Sequence, residues 1–524
     1  MEPAVRPYAA NCGWLAFPPP AVTDLGSQPT ELCGAAASSP PGKTLFGQPR
    51  GLATLFFTEM WERFTYYGMR AILILFMVSA VAQGGLGIDD KTASSIYGLF
   101  VAGSYLFSLL GGWIADRLIG GQRAVIGGGV FIMLGNVLLA CGITQVFFMG
   151  LASIALGVGL LKPNVSALVA NLYPEGGSRR DAGFSLFYMG INVGALLGAL
   201  LVPLCAARFG WHSGFALPAA GMLVGLGQFL LTRRYLSPVD LAVPVNTRLA
   251  AWLPVIAFAL AGVVVAALVL SGTLVIDAAA VGRASSWLIG LLAACYFGYL
   301  FFFAGLTIPG RRRAYVMLAL FIASTVYYAG IEQTGTSLTL FADRYTDRRI
   351  FGWEMPAGIL QGVSSIFVIL FAPLFSALWI GLGRRGKDPS TPVKFAAGLI
   401  LMGLGFLVMY VASMRVIGGQ RVLPTWLVLC YLVQMWGDLC LAPVGLSSMT
   451  KLAAPRFVGQ VMGMWFLSIA LGNNLAGQLA TEYDAGNLAS LPALFLKIFA
   501  WGAVGGGIML ALNVPLKRLM AGSK

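Results

Sequence analysis

Fourteen apolar stretches, each long enough to cross a lipid bilayer, constrain this chain more than any other feature of its sequence. A spanning helix needs about 20 predominantly apolar residues. Such runs lie near 52–82, 92–115, 123–142, 145–170, 181–207 and 213–232, then near 249–271 and 284–308. Six more follow near 314–343, 355–382, 392–414, 424–450, 457–481 and 489–516. The runs are continuous and lack the two-residue alternation of a membrane strand, which points to helices rather than a barrel. With 58% hydrophobic and 10% charged residues and a mean hydropathy of +0.82, the chain belongs in lipid.

The grouping predicts four regions. Residues 1–50, rich in Pro, Gly, Ser and Ala without periodicity and without a signal-peptide pattern, read as a disordered cytoplasmic tail. Residues 51–235 form a six-helix bundle, 236–312 a linker with two additional transmembrane helices, and 313–524 a second six-helix bundle. The fold class is an all-α membrane protein.

The formal charge of +14 sits in short loops at alternate ends of the runs, as positive-inside orientation requires. Arg117, Arg123, Arg179, Arg180, Arg233, Arg234, Arg311 to Arg313, Arg384, Arg385, Lys387, Lys451, Arg456, Lys517 and Arg518 share one side if both termini are cytoplasmic. The opposite loops hold Asp89, Asp90, Glu482 and Asp484, together with Arg348, Arg349, Arg415 and Arg421. Orientation and contact with anionic lipid explain the charge, and no basic face with interleaved aromatics suggests nucleic acid. The seven cysteines include no CxxC and mostly fall inside apolar runs. They read as packing residues, with neither a disulfide framework nor a metal site expected.

A charge near mid-bilayer costs about 2.5–3.5 kcal/mol on insertion scales, so each one needs a reason. Glu59, Glu62, Arg63, Tyr66, Tyr67 and Arg70 follow steps of three and four in the first run, which places them on one stripe of a helix. A water-filled cavity facing that stripe explains it better than a self-neutralising packing cluster. Lys162, Glu332 and Asp438 stand alone in later runs. The blocks LKPNVSALVANLYP and LAPVGLSSMTKLAAP suggest that the two bundles are repeats, as in transporters that rock about a midplane site. Equivalence then pairs Arg70 with Glu332 and Lys162 with Asp438 as candidate gates that form in one access state and break in the other. A permanent buried salt bridge is the alternative for each. Lys497 has no evident partner and reads as snorkelling or packing. The single histidine, His212, falls between runs, so proton movement through the core falls to carboxylates, with Glu59, Glu62 and Glu332 as candidates.

The stretch FFTEMWERFTYYGMRAILILFM (56–77) resembles the first helix of the proton-dependent oligopeptide transporters, whose hallmark is ExxERFxYYG. GGWIADRLIGGQR (111–123) is similar to the loop motif of the major facilitator superfamily. The likeness continues through LGVGLLKPNVSALVANLY (156–173), FSLFYMGINVGALLG (184–198), EQTGTSLTLFADR (332–344), FGWEMPA (351–357) and 438–468, nearly the whole chain after residue 50. The two helices between the bundles resemble those of the 14-helix bacterial members.

The resemblance implies a major facilitator fold and a proton-coupled symporter that imports di- and tripeptides by alternating access through the bacterial inner membrane. It implies Arg63, Lys162, Tyr67 and Tyr105 for the peptide carboxylate, Asn192 and Asp438 for the amino group, and Glu59, Glu62 and Glu332 for proton coupling. Tyr188, Tyr328 and Trp465 would line side-chain pockets. This chain departs from the family in three places: Asp438 is one methylene shorter than the usual Glu, Ser364 and Ser365 replace Asn-Pro, and Tyr328 replaces Trp. Another proton-coupled solute, such as nitrate, an amino acid or a peptide-like drug, is the alternative substrate. No HExxH, GxSxG or nucleotide-binding loop occurs, so an enzyme or an ATP-driven pump is not expected. No cofactor or metal is expected either, and a monomer is.

Overall fold

The computed structural model describes residues 44–45, 48–173, 177–236, 249–271, 273, 277–453, 457–483 and 487–520. Most of the tail expected at 1–50, residues 237–248 of the linker, Cys12, Cys33, Arg456 and Asp484 lie outside the described residues.

The first half comprises α1 (Arg50–Val78), α2 (Asp90–Ile114), α3 (Gly121–Ala140), α4 (Thr144–Asn171), α5 (Gly177–Phe209) and α6 (Trp211–Thr232). Two further helices follow, α7 (Leu249–Leu270) and α8 (Ala278–Phe302). The second half comprises α9 (Ile308–Ile331) with its short continuation α10 (Ser337–Arg344), then α11 (Gly362–Arg384), α12 (Thr391–Ile417), α13 (Thr425–Leu452), α14 (Val458–Ala480) and α15 (Ser490–Ala511), closed by α16 (Asn513–Met520). Eleven helices among the described residues are long and apolar enough to cross a membrane. The charges of Glu59, Glu62, Arg63 and Arg70 keep α1 out of that count, although it lies at the centre of its half. Six long helices, two extra and six more reproduce the expected grouping.

Helix α1 packs on α5 and α6, α2 on α4, and α3 on α4 and α6. The approach of α1 to α5 depends on glycine: a Cβ at Gly194 would stand 2.1 Å from the Met60 carbonyl, and one at Gly198 would stand 2.3 Å from the Phe64 carbonyl. Small residues let helix backbones touch where apolar lipid supplies no drive for association. This contact brings the charged stripe of α1 beside the inner face of α5. In the second half, α12 packs on α13 and α15, and α14 on α9. Between halves, α2 packs on α14 and α5 on α11. Asn474 and Gln478 of α14 donate to the Gly282 carbonyl and the Ser286 hydroxyl of α8, fixing that extra helix to the second half.

Three boundaries differ from the sequence reading. Helix α8 begins at Ala278 rather than near 284 because Asp277 caps it, accepting from the Ala279 and Ala280 amides at 2.9 and 3.1 Å. Thr307 caps α9, so Arg311 to Arg313 form its first turns instead of closing the preceding span. The run expected at 314–343 is broken by a 3-10 turn at Glu332–Gly335. Gln333 holds that break, donating to the Ala476 carbonyl at 2.9 Å and accepting from Ser337 at 2.6 Å. Lys497, expected to lack a partner, meets Glu482 at 2.5 Å. Cys430 and Cys440 are buried as packing residues, whereas Cys141 and Cys295 are exposed.

Candidate functional site

The α1 stripe forms the first part of the site. Glu59, Glu62 and Arg63 are 3%, 0% and 2% exposed. One turn of helix separates Glu59 from Arg63, and the Arg63 Nε lies 3.1 Å from Glu59 Oε1 while also meeting Glu62 Oε2. Two carboxylates therefore share one guanidinium. Lys162 of α4 lies within electrostatic range of all three groups and supplies the fourth charge, so the set is neutral when every member is ionised. Neither Glu62 oxygen, nor Glu59 Oε2, nor Arg63 Nη2 has a well-aligned hydrogen-bond partner among the described residues. Buried polar atoms are ordinarily paired, and groups left this way hold binding or proton-transfer capacity in reserve.

Two turns further along α1, Arg70 joins the halves. Its Nε donates to the Tyr97 hydroxyl at 2.7 Å, and its Nη2 meets Glu332 at the break after α9. The rings of Tyr66, Tyr67 and Tyr97 surround the guanidinium with centroids at 5.3, 5.6 and 5.3 Å. Gly335 makes this possible, since a Cβ there would lie 1.6 Å from the Tyr97 hydroxyl. The expected Arg70–Glu332 pair is thus formed, with side chains 7% and 15% exposed.

The other expected pair is not formed. The Lys162 ammonium stands 3.9 Å from the Tyr105 ring centroid, and Asp438 of α13 accepts from the Tyr327 hydroxyl at 3.3 Å. Asn192 of α5 is buried and donates to the Tyr188 carbonyl of its own helix at 3.0 Å, while Tyr188 is exposed. Tyr328 is half-buried against Trp465, ring centroids 6.5 Å apart. Trp465 is itself buried over Gly445, where a Cβ would strike its ring at 2.1 Å. Tyr67, Tyr105, Lys162, Tyr328 and Asp438 are all half-buried although they sit well inside long helices. That is the pattern of a cleft between the bundles.

The cleft is closed at the Arg70 end. There Arg344 donates two hydrogen bonds to Asp90, at 2.6 and 2.7 Å, across the halves, and its guanidinium lies 5.6 Å from the Tyr483 ring centroid. A Cβ at Gly98 would touch the Gly477 backbone at 2.7 Å, and one at Gly358 would touch the Ala71 carbonyl at 2.4 Å. At the other end α4 packs chiefly on first-half helices and α13 on second-half helices.

The profile of the POT family matches residues 122–494. The chain belongs to this family. The peptide transporter YePEPT of Yersinia enterocolitica is 40% identical over 499 residues, covering 93% of this chain and 98% of that protein. The di-/tripeptide transporter of Lactococcus lactis is 35% identical over 493 residues, covering 91% and 98%. A crystal structure of a POT peptide transporter mutant in complex with alafosfalin superposes with a TM-score of 0.83 at 40% identity, covering 92% of this chain and 98% of that one. This POT member therefore has the major facilitator architecture of two six-helix bundles with two helices between them.

Three features of its site escape a reading of the sequence. Tyr97 lies eight residues before Tyr105 on α2, a spacing visible in the chain, but its contact with Arg70 depends on the break at Glu332–Gly335. Asp90 and Arg344 are 254 residues apart and look like ordinary loop charges. Arg348, which blurs the charge asymmetry of the loops, is compensated locally by Asp343 and Glu354 at 3.1 and 3.3 Å.

Proposed function

We propose that this POT member imports di- and tripeptides together with protons by alternating access. The observation that carries the reading is the unequal engagement of charge along the cleft: Arg70 is tied to Glu332, whereas Lys162 and Asp438, deeper along their helices, do not pair with each other. A peptide zwitterion is recognised by opposite charges at its two ends, with adaptable walls between them. Arg63, Lys162, Tyr67 and Tyr105 take its carboxylate, the Arg63 Nη2 contributing a donor that the protein leaves unused. Asn192 and Asp438 take its amino group. The short Asp438 side chain, already accepting from Tyr327, reaches the ammonium through water. Tyr188, Tyr328 and Trp465 shape the side-chain pockets.

Proton coupling falls to Glu59, Glu62 and Glu332. A proton on Glu59 or Glu62 leaves the otherwise neutral set with a net positive charge and frees the Arg63 guanidinium for the substrate carboxylate. A proton on Glu332 releases Arg70 and lets the closed end part. With both termini cytoplasmic, the closed end faces outward and the cleft opens inward. Residues 51–235 and 313–524 act as the two rocking units of a monomer in the inner membrane, and 236–312 form the linker. An inward gradient supplies about 2.3 kcal/mol per charge for each 100 mV.

The experiment is uptake of labelled dialanine into proteoliposomes with the proton gradient present or collapsed, for wild type and Glu62→Gln. Gradient-dependent uptake that disappears in Glu62→Gln is the expected result. Uptake by wild type that ignores the gradient, or no uptake by protein shown to be folded and correctly oriented, overturns the reading.

A further inference from the structure

Outside the cleft, a cavity of about 290 Å³ lies between the turn joining α8 to α9 and the C-terminal end of α13. Leu300, Leu306, Met317, Leu452 and Val461 give it apolar walls, and Arg313, half-buried, is the one cation among the described residues of its lining. Arg311, Arg312 and Lys451 are exposed nearby in sequence. Phe302, Phe303 and Ile308, on the same turn, are 78%, 80% and 71% exposed. Large apolar side chains next to arginines mark the depth at which a membrane protein meets the headgroups. The cavity is therefore placed where acyl chain and headgroup join.

Its chemistry selects the occupant. An arginine guanidinium binds a phosphodiester through directed, charge-assisted hydrogen bonds, and apolar walls suit the glycerol and first methylenes of a lipid. A free phosphate ion leaves those walls uncovered. Both chain segments that build the cavity lack acidic residues, with none between Asp277 and Glu332 and none between Asp438 and Glu482. Within these two segments a zwitterionic headgroup finds a partner for its phosphate and no carboxylate for its ammonium, while a net negative headgroup meets complementary charge. We propose that this cavity binds the headgroup of an anionic phospholipid, with Arg313 holding the phosphate.

The test is native mass spectrometry of the purified full chain in detergent, titrated with phosphatidylglycerol or phosphatidylcholine. Phosphatidylglycerol is expected to bind about tenfold more tightly than phosphatidylcholine, and Arg313→Gln to lose about that factor. Arg311→Gln and Arg312→Gln remove the same charge outside the cavity and should stay within about twofold of wild type. Arg313→Lys keeps the charge without the guanidinium fork and should bind more tightly than Arg313→Gln but less tightly than wild type. Should Arg313→Gln not fold, Leu306→Glu, which sets an acid in the half-buried wall, carries the test and is expected to abolish phosphatidylglycerol retention. Equal losses in all three arginine variants would mean diffuse surface attraction and overturn the site. So would equal binding of the two lipids, full displacement by millimolar inorganic phosphate, or unchanged phosphatidylglycerol retention in Leu306→Glu.

Discussion

The closed end of the cleft and its interior are built from similar charges and differ in whether those charges meet. At one end Arg70 reaches Glu332, and Arg344 reaches Asp90, across the halves. Further along the cleft, Lys162 rests on Tyr105 and Asp438, at the middle of α13, on Tyr327, each satisfied within its own half. A symmetric repeat with both pairs formed would be locked, and one with neither formed would leak. One formed and one unformed pair is what a single access state of a rocking transporter requires.

The largest break in this comparison is expected at Arg70. Arg70→Ala leaves Glu332 unpaired in the closed end, and removing one partner of a buried pair costs about 3–5 kcal/mol. Thermal unfolding in detergent should fall accordingly, with part of the loss recovered when Arg70→Glu is combined with Glu332→Arg. Lys162→Gln should behave in the opposite way. It gives up a cation–π contact worth about 0.5–1 kcal/mol and the charge that balances Glu59, Glu62 and Arg63 but breaks no ion pair, so unfolding should move less than in Arg70→Ala. Uptake of dialanine below saturation falls roughly tenfold or more, as expected for losing a charge-assisted hydrogen bond of about 1.5–3 kcal/mol.

Gly335→Ala sharpens the closed end from a different direction. Its methyl group meets the Tyr97 hydroxyl, and the forced shift costs about 1–3 kcal/mol; Tyr97→Phe in the same chain should return part of it. The smallest effect concerns Asp89, which caps α2 at the closed end. Hydrogen bonds from Thr92, and then from the Lys91 amide, hold its carboxyl below the ordinary 3.8. Because the folded value is the lower one, the contribution is complete above 3.8 and is lost as pH falls through the folded value. Asp89→Ala should cost about 1 kcal/mol at neutral pH and lose its distinction from wild type in acid unfolding.

The spans, the α1 stripe and the Arg70–Glu332 pair could be read from the chain because a charge inside an apolar run is costly wherever the run folds. Helix periodicity then fixes which charges share a face. The Asp90–Arg344 pair could not, since each residue lies at a helix end where charge costs little and carries no pattern. The break at Glu332–Gly335 was hidden for another reason: the Gln333 side chain holds it by accepting from Ser337 and donating to the Ala476 carbonyl, contacts that leave no mark on hydropathy. The start of α8 could not be placed from hydropathy alone, because the Asp277 cap begins the helix at Ala278, ahead of the apolar run.

The most direct test of alternating pairs is a distance measurement between spin labels in nanodiscs, on a background without native cysteines. One label pair replaces Lys91 and Arg349 at the closed end, and the other replaces Ser166 and Ser447 at the open end, all four exposed. Adding dialanine at acid pH should lengthen the first distance while shortening the second. Two distances that move together, or that both stay fixed while dialanine is transported, would contradict the account.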